Sequence, residues 1–423
     1  MGRSKLTLVL ALAALLGVAA TAYGQKPAGK AKPAAGERPR YDLLYRVHVP
    51  TFADAIVAKI KEGVQKDLAR PKSSESEEDF AIRKQLAETL RDAWTRAVKD
   101  LEDFSIGWRL DRKQKLSYLD LTLTAKPNTT TARQVAQLPS LKTAFSAFAM
   151  PGAAISARWV GQHHAADAAA GAKLVQLVRA KALKQIDQQS LSADDKKVRR
   201  ELADKLFDVL QQSAASGRDD GALSVVVQPQ AVTLLFGAYV ADGAKLESVF
   251  KPVAEFLQQH HPLFGSLRLN ADTCQGVNLH TLALPAPPGQ DRENFARLFG
   301  ESLQVVIGFG KEAIYLAAGR DALKRLKEAI QKSSESVVPP NPFEVSLSLK
   351  PVADFVAAVG RPRDQKQAQR VAQVLAKAPG KDHARLVARP VERGVILRFE
   401  VEQGILDLIG TAVPQVRHFI EGK

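Results

Sequence analysis

Short runs in which apolar and polar residues alternate, joined by tight turns, constrain the fold of this chain more than any other feature. In the run 116–124, Leu119, Leu121 and Leu123 point to one side and the residues between them point to the other, because successive side chains of a strand face opposite sides of a sheet. Strands joined by tight turns are antiparallel, and such sheets bury one face more than the other. The pattern predicts the α+β class, with helices packed on one side of antiparallel sheets.

The alternating runs come in pairs, and each pair is followed by a stretch with helical periodicity. The first pair flanks the polar turn Asp111–Lys115, and a helix is predicted from about Thr130. Two single strands, near Tyr45 and Val345, are followed directly by a helix. The hairpin–helix order recurs, without a fixed residue period, at 222–258, 264–300, 303–332 and 383–413. The sequence therefore predicts a fold built from repeated strand–helix and β-hairpin–helix units.

The first residues have the features of a secretory signal peptide. Arg3 and Lys5 form a positively charged start, the run Leu6–Ala20 is apolar or small, and small residues follow at Ala22 and Gly24. The run is shorter than the ~20 residues that span a bilayer comfortably, which favours cleavage after Ala22 or Gly24 over an uncleaved anchor. We therefore expect a secreted or periplasmic protein.

The rest of the chain is long enough for several packed units, since a domain usually has ~150 residues. After a signal peptide at 1–24, the segment 25–40 is rich in Pro, Ala and Lys and is expected to form a disordered basic tether. The predicted units that follow are a first α+β unit at 41–150, a second at 151–260, two hairpin–helix units at 261–333, a Pro-rich linker at 334–342 and a third α+β unit at 343–423.

The chain is basic. Its formal net charge is +15, and +13 without Arg3 and Lys5, a balance that suits a polyanionic partner. However, the basic residues are interleaved with acidic ones, and aromatic residues that could stack on bases do not accompany the basic clusters at 112–115 and 196–200. We expect no nucleic-acid partner and, as an alternative, weak contact with an anionic envelope surface.

One glycine pair resembles part of a dinucleotide-binding fingerprint. Gly308 and Gly310 follow an apolar strand, with Ala313 at the third small position. Such a site needs a helix directly after the glycines, so that its amides hold the pyrophosphate. The run 312–318 reads as a strand instead, so we interpret the glycines as a hairpin turn that requires positive φ.

The histidines do not have metal-site spacing. His163 and His164 are neighbours, as are His260 and His261, whereas two ligands on one helix face are four residues apart. Both pairs flank predicted helix ends, where a histidine bonds terminal groups or meets water. His48 and His280 are expected on the polar faces of strands, in contact with solvent.

Nucleophile motifs give no stronger signal. The chain has no GxSxG motif, and its sole cysteine, Cys274, is interpreted as an ordinary turn residue that lies across a hairpin from His280. Asp219 and Asp220 are interpreted as part of a polar turn, and His383 as a surface residue paired with Asp382. The sequence therefore predicts no catalytic, cofactor-binding or metal residues and no cofactor.

Three stretches carry a resemblance to a known group of proteins: 238–247 (AYVADGAKLE), 277–287 with 308–323, and 380–386 (GKDHARL). They resemble a family of uncharacterised exported bacterial proteins with a signal peptide and tandem β-hairpin–helix units. The resemblance is clearest over about 222–405. It implies export and this architecture, and it implies no site residues, because the matching positions are turn glycines, strand apolars and helix starts.

The leading hypothesis is an exported, non-enzymatic protein of the periplasm or cell envelope that acts by binding or scaffolding. Its partner is a protein or an apolar ligand held between sheet and helices. Two alternatives stay open: a hydrolase or other enzyme with an unrecognised active site, and an electrostatic binder of anionic envelope polymers.

Overall fold

The computed structural model describes residues 41–412 apart from 288, 290, 291, 334 and 336. The predicted signal peptide and tether, and residues 413–423 of the predicted third α+β unit, lie outside the described residues.

The strands are β1 (Leu43–His48), β2 (Leu101–Asp111), β3 (Leu116–Ala125), β4 (Ile155–Gln162), β5 (Arg218–Gln228), β6 (Ala231–Tyr239), β7 (Arg268–Cys274), β8 (Val277–Pro285), β9 (Ser302–Phe309), β10 (Ala313–Gly319), β11 (Phe343–Ser348), β12 (His383–Val391) and β13 (Gly394–Glu402). The α-helices of the described part are α1 (Ala53–Leu68), α2 (Glu77–Asp100), α3 (Thr130–Gln137), α4 (Ala165–Gln188), α5 (Ala193–Ser216), α6 (Gly243–His260), α7 (Arg292–Phe299), α8 (Ala322–Lys332), α9 (Leu349–Val359), α10 (Pro362–Leu375) and α11 (Gln403–Ala412).

The thirteen strands of the described residues form one antiparallel sheet in the order β1-β2-β3-β13-β12-β11-β4-β5-β6-β10-β9-β8-β7. The last three strands of the chain therefore lie in its middle, where β13 pairs with β3 and β11 pairs with β4. One antiparallel sheet with helices confirms the predicted α+β class.

Helices pack on both faces of this sheet, whereas the sequence predicted helices on one side. On one face, Phe250 of α6 contacts Phe309 of β9 with ring centroids 5.3 Å apart. On the other face, Leu326 of α8 belongs to a buried cluster with Leu235 and Ala317. The alternation pattern does not show that this second face is covered, because its buried cluster combines residues from distant segments such as Phe145, Leu235 and Leu326.

Helix starts were predicted well. The Ser76 hydroxyl accepts a hydrogen bond from the amide of Asp79 at 3.1 Å, and Ser192 caps α5 through Asp195 in the same way. A serine three residues before an acidic residue, as in Ser76–Asp79 and Ser192–Asp195, predicts a helix start from sequence, and these bonds, in which a hydroxyl satisfies an amide that has no partner within the helix, confirm it at both positions.

The segments 43–137, 155–260 and 343–412 each run in the order strand, two helices, two strands, helix. That they are copies of one unit, and that the chain divides at the predicted boundaries, stay predictions. Among the described residues, no helix is both long and apolar enough to cross a bilayer.

Candidate functional site

A row of side chains crosses the sheet on the face that carries α6. Strand pairing places one residue from each of twelve neighbouring strands opposite the next. We call these residues the apolar row: Leu43, Trp108, Leu119, Phe399, Leu386, Val345, Ala157, Leu223, Phe236, Leu316, Ile307 and His280. All but the last are apolar. With strands about 4.8 Å apart, the row extends for roughly 50 Å.

Most of the apolar row is not closely packed. Phe399, on the fourth strand of the sheet order, is 45% exposed, and Leu43 at the end of the row is 64% exposed. Every member except His280 is half-buried or exposed. Protein cores are packed as densely as organic crystals, so this face does not form a closed core. An apolar surface left partly open at the centre of a sheet is typical of a binding surface.

A layer of five neighbouring helices, α1, α2, α4, α5 and α6, packs on the sheet at the two ends of the row. At one end, Val57 of α1 belongs to a buried cluster with Phe104 of β2. At the other end, α6 covers β8 and β9. Ion pairs join successive helices of the layer, such as Arg83–Asp67 and Lys245–Asp208, both 3.0 Å.

The long helices of this layer bury few residues. Only Val98 of α2, Ala168 of α4 and Val209 of α5 are fully buried. The helices are 24 residues long each, and their other apolar side chains are half-buried or exposed. Buried apolar contacts between the helix layer and the sheet lie at the two ends of the row.

The row ends in a small apolar pocket beneath α6. Its volume is about 80 Å³, and its walls include Phe250 and Leu257 of α6 together with Leu282, Val305 and Ile307 of the sheet. Because the pocket is a continuation of the row, a ligand that follows the row could place an apolar end in it.

His280 closes this pocket and is 1% exposed. Its Nδ1 accepts a hydrogen bond from the Asn270 amide at 3.0 Å, and its Nε2 lies 3.3 Å from a carboxylate oxygen of Glu247. Burial lowers the pKa of His280, an effect that the Glu247 carboxylate only partly opposes. The imidazole is therefore held in its neutral form.

The expectation that His280 contacts solvent was wrong. His280 lies on the same face of β8 as Asn278 and Leu282, and this face is directed to α6 rather than to water. A histidine among polar and apolar neighbours does not reveal its face from sequence alone. His48 agrees with the expectation, since 61% of its side chain is exposed.

Of the two glycines of the dinucleotide-like motif, Gly310 lies in a hairpin turn, as predicted, whereas Gly308 lies within β9. β9 ends at Phe309, β10 begins at Ala313, and the Gly310 amide donates to the Ala313 carbonyl at 2.9 Å. The predicted requirement for a positive φ was wrong, because neither Gly308 nor Gly310 has a positive φ. The close approach of α6 to this turn instead requires glycine at Gly243, which lies against the Gly310 carbonyl.

The histidine pairs bond helix ends, as predicted. His164 Nδ1 accepts from the Ala166 amide at 3.2 Å at the start of α4. His260 Nδ1 lies 2.8 Å from the Phe256 carbonyl at the end of α6. Among the residues that the structure describes, no group of His, Cys, Asp and Glu side chains could hold a metal ion.

Cys274 is the last residue of β7 rather than a turn residue, and it is buried. It ends β7 in the cluster with Val277 and Leu279, on the face opposite to His280. Burial raises the pKa of its thiol, so it is a poor nucleophile at neutral pH.

The predicted positions of the Asp219–Asp220 pair and of His383 were also wrong. Asp219 and Asp220 lie within β5 rather than in a turn, and buried Asp220 accepts from the Thr143 hydroxyl at 2.7 Å. His383 is half-buried rather than at the surface; its Nδ1 lies 3.8 Å from Asp382, the predicted partner, and 3.0 Å from Glu402, which was not predicted. In both places the partner is distant in sequence, which local patterns do not show.

Sequence reasoning missed the apolar row. Its members on β3 and β13 were recognised as alternating strands, but nothing in the sequence placed those strands side by side.

Comparison with protein-family models, with curated proteins and with solved structures finds no match for this chain. The resemblance to exported proteins therefore stays a prediction.

Proposed function

We propose that this chain is an exported protein of the periplasm or cell envelope that binds the acyl chains of an amphipathic lipid along the apolar row. One observation carries the proposal: eleven consecutive strands present a half-buried or exposed apolar side chain on one line. The sheet backbone is already paired along this line, so recognition depends on apolar contact rather than on hydrogen bonds to the strands.

Acyl chains suit this surface better than a folded protein does. The row is long and narrow, it is spanned by helices at both ends, and it continues into an apolar pocket of about 80 Å³. The net charge of +15 favours a lipid with an anionic head group. Export, which follows from the sequence of 1–24, would bring the chain to envelope lipids.

The test uses displacement of a fluorescent long-chain fatty acid from the purified processed chain. Phe399→Ser removes the most exposed aromatic side chain of the row and should weaken binding roughly tenfold, because a buried phenylalanine contact contributes about 1.5–3 kcal/mol. Phe256→Ser is the matched control, since Phe256 is 51% exposed on α6 and lies outside the row. Absence of fatty-acid binding, or equal weakening by both variants, would contradict the proposal.

A further inference from the structure

We propose that a second site, separate from the apolar row, binds the phosphate group of a small organic molecule in a polar cleft on the opposite face of the sheet. The cleft has a volume of about 320 Å³ and lies beside the segment 149–153. Its charged and hydroxyl side chains are Ser156, Arg158, Glu344, Ser346, His383 and Arg385.

The strand register builds this cleft from residues that are far apart in sequence. Ser156 of β4 lies opposite Ser346 of β11, which in turn lies opposite Arg385 of β12. Arg158 and His383 are each two residues from a member of this row, so they lie on the same face. Three neighbouring strands thus direct hydrogen-bond donors to one place.

Several of these donors have no partner within the described part of the chain. The Nε of Arg158 is buried without a hydrogen-bond acceptor, although its Nη2 donates to Glu344 at 3.1 Å. No described residue bonds the hydroxyls of Ser156 and Ser346. A buried guanidinium N–H without an acceptor is costly, and a bound oxyanion beside it would remove that cost.

The acceptors around the cleft are already occupied. Glu344 accepts from Arg158, while Glu402 accepts from the His383 amide at 3.1 Å and lies 3.2 Å from Arg385. Glu402 also contacts His383 Nδ1, which leaves Nε2 as the ring nitrogen without that contact. A cleft rich in donors, with its carboxylates neutralised, suits a ligand that only accepts.

A phosphate group fits these requirements best. Arginine forks and hydroxyls are the usual partners of tetrahedral oxyanions, and here they come from three strands. A volume of about 320 Å³ is at the lower end of ligand pockets, which span ~300–1,000 Å³. The cleft therefore has room for a small organic group attached to the phosphate.

The test is isothermal titration calorimetry of the processed chain with glycerol 3-phosphate and with inorganic phosphate. We expect saturable binding, with glycerol 3-phosphate bound more tightly. Arg158→Gln should weaken binding about 10- to 100-fold, because it removes a charge-assisted hydrogen bond to the phosphate. Arg389→Gln, four residues beyond Arg385 on β12 and outside the cleft, should leave it unchanged. No heat with either probe together with no Arg158-dependent binding to phosphatidylglycerol vesicles, or equal loss in both variants, overturns the proposal.

Ser346→Ala provides a second variant in case Arg158→Gln fails to fold, and unchanged binding by a folded Ser346→Ala would also overturn the proposal. Vesicles that contain phosphatidylglycerol separate a lipid head group from a free phosphate compound. Binding to vesicles that Arg158→Gln abolishes, without binding of glycerol 3-phosphate, supports a lipid phosphate as the source. Phe399→Ser should leave glycerol 3-phosphate binding unchanged, so the two proposals fail separately.

Discussion

Individual buried polar residues in this sheet depend on partners from remote parts of the chain. Asp120 is fully buried, and Arg398 donates two hydrogen bonds to it, both 2.7 Å long. The hydroxyl of Tyr41 donates a third at 2.8 Å. Removing one member of such a buried pair leaves an uncompensated charge, so these residues fix β3 against β13.

His280 gives the fold a dependence on pH. Burial lowers its pKa below the model-peptide value of about 6.5. As the pH falls through this value, the unfolded chain binds the proton before the folded chain does, so the free energy of unfolding decreases. We expect His280→Gln to reduce this decrease between pH 7 and pH 5, measured by urea unfolding at each pH.

The exposed His48 provides the control for this measurement. His48→Gln makes the same replacement at a histidine whose side chain is 61% exposed, so it reports the effect of the substitution outside the buried pocket. An identical slope in wild type and His280→Gln would show that His280 is not held neutral by the fold.

At the scale of elements, one glycine decides how α6 meets the β9–β10 turn. A Cβ on Gly243, the first residue of α6, would lie 1.9 Å from the carbonyl oxygen of Gly310. No real Cβ makes such a contact, so the helix or the turn must move. This contact positions α6 over His280 and the apolar pocket.

We expect Gly243→Ala to destabilise the protein by about 1–3 kcal/mol, the usual cost of overpacking. Gly63→Ala in α1 is the matched control, since a Cβ there meets nothing within 4 Å. It should stabilise the protein by roughly 0.5–1 kcal/mol, because alanine favours a helix interior. Urea unfolding measures both, and a neutral or stabilising Gly243→Ala would contradict the described packing.

At the scale of the whole molecule, the sheet depends on the end of the chain. β11–β13 separate β1–β3 from β4–β10, so the first strands contact the rest of the sheet only through residues beyond 342. Pairing such distant segments is slow, because the loop must close before the contacts form.

A chain that ends at residue 342 should therefore not form the native sheet. Its β3 and β4 would each present an unpaired edge, which favours aggregation. We expect loss of the near-ultraviolet circular dichroism signal and of a cooperative melting transition, together with larger particles in size-exclusion chromatography. A monomeric truncated chain that melts at the wild-type temperature would show that β11–β13 are dispensable.

The local features of this protein were predictable from sequence, whereas the sites were not. The capping serines and the alternating strands depend on neighbours within a few residues, and the structure confirms them. His280, Asp220 and His383 were placed wrongly because their burial depends on partners 33, 77 and 19 positions away. The apolar row and the polar cleft depend on which strands are neighbours.

By itself, the sequence determined the α+β class, the position of hairpins and helices, and the start of the helices, because alternation and capping act over short distances. Only the tertiary structure decided that all strands share one sheet, and that the last three strands occupy its middle. The order of the strands in the sheet depends on the total packing energy of distant segments. This strand order aligns the apolar row on one face of the sheet and the polar cleft on the other.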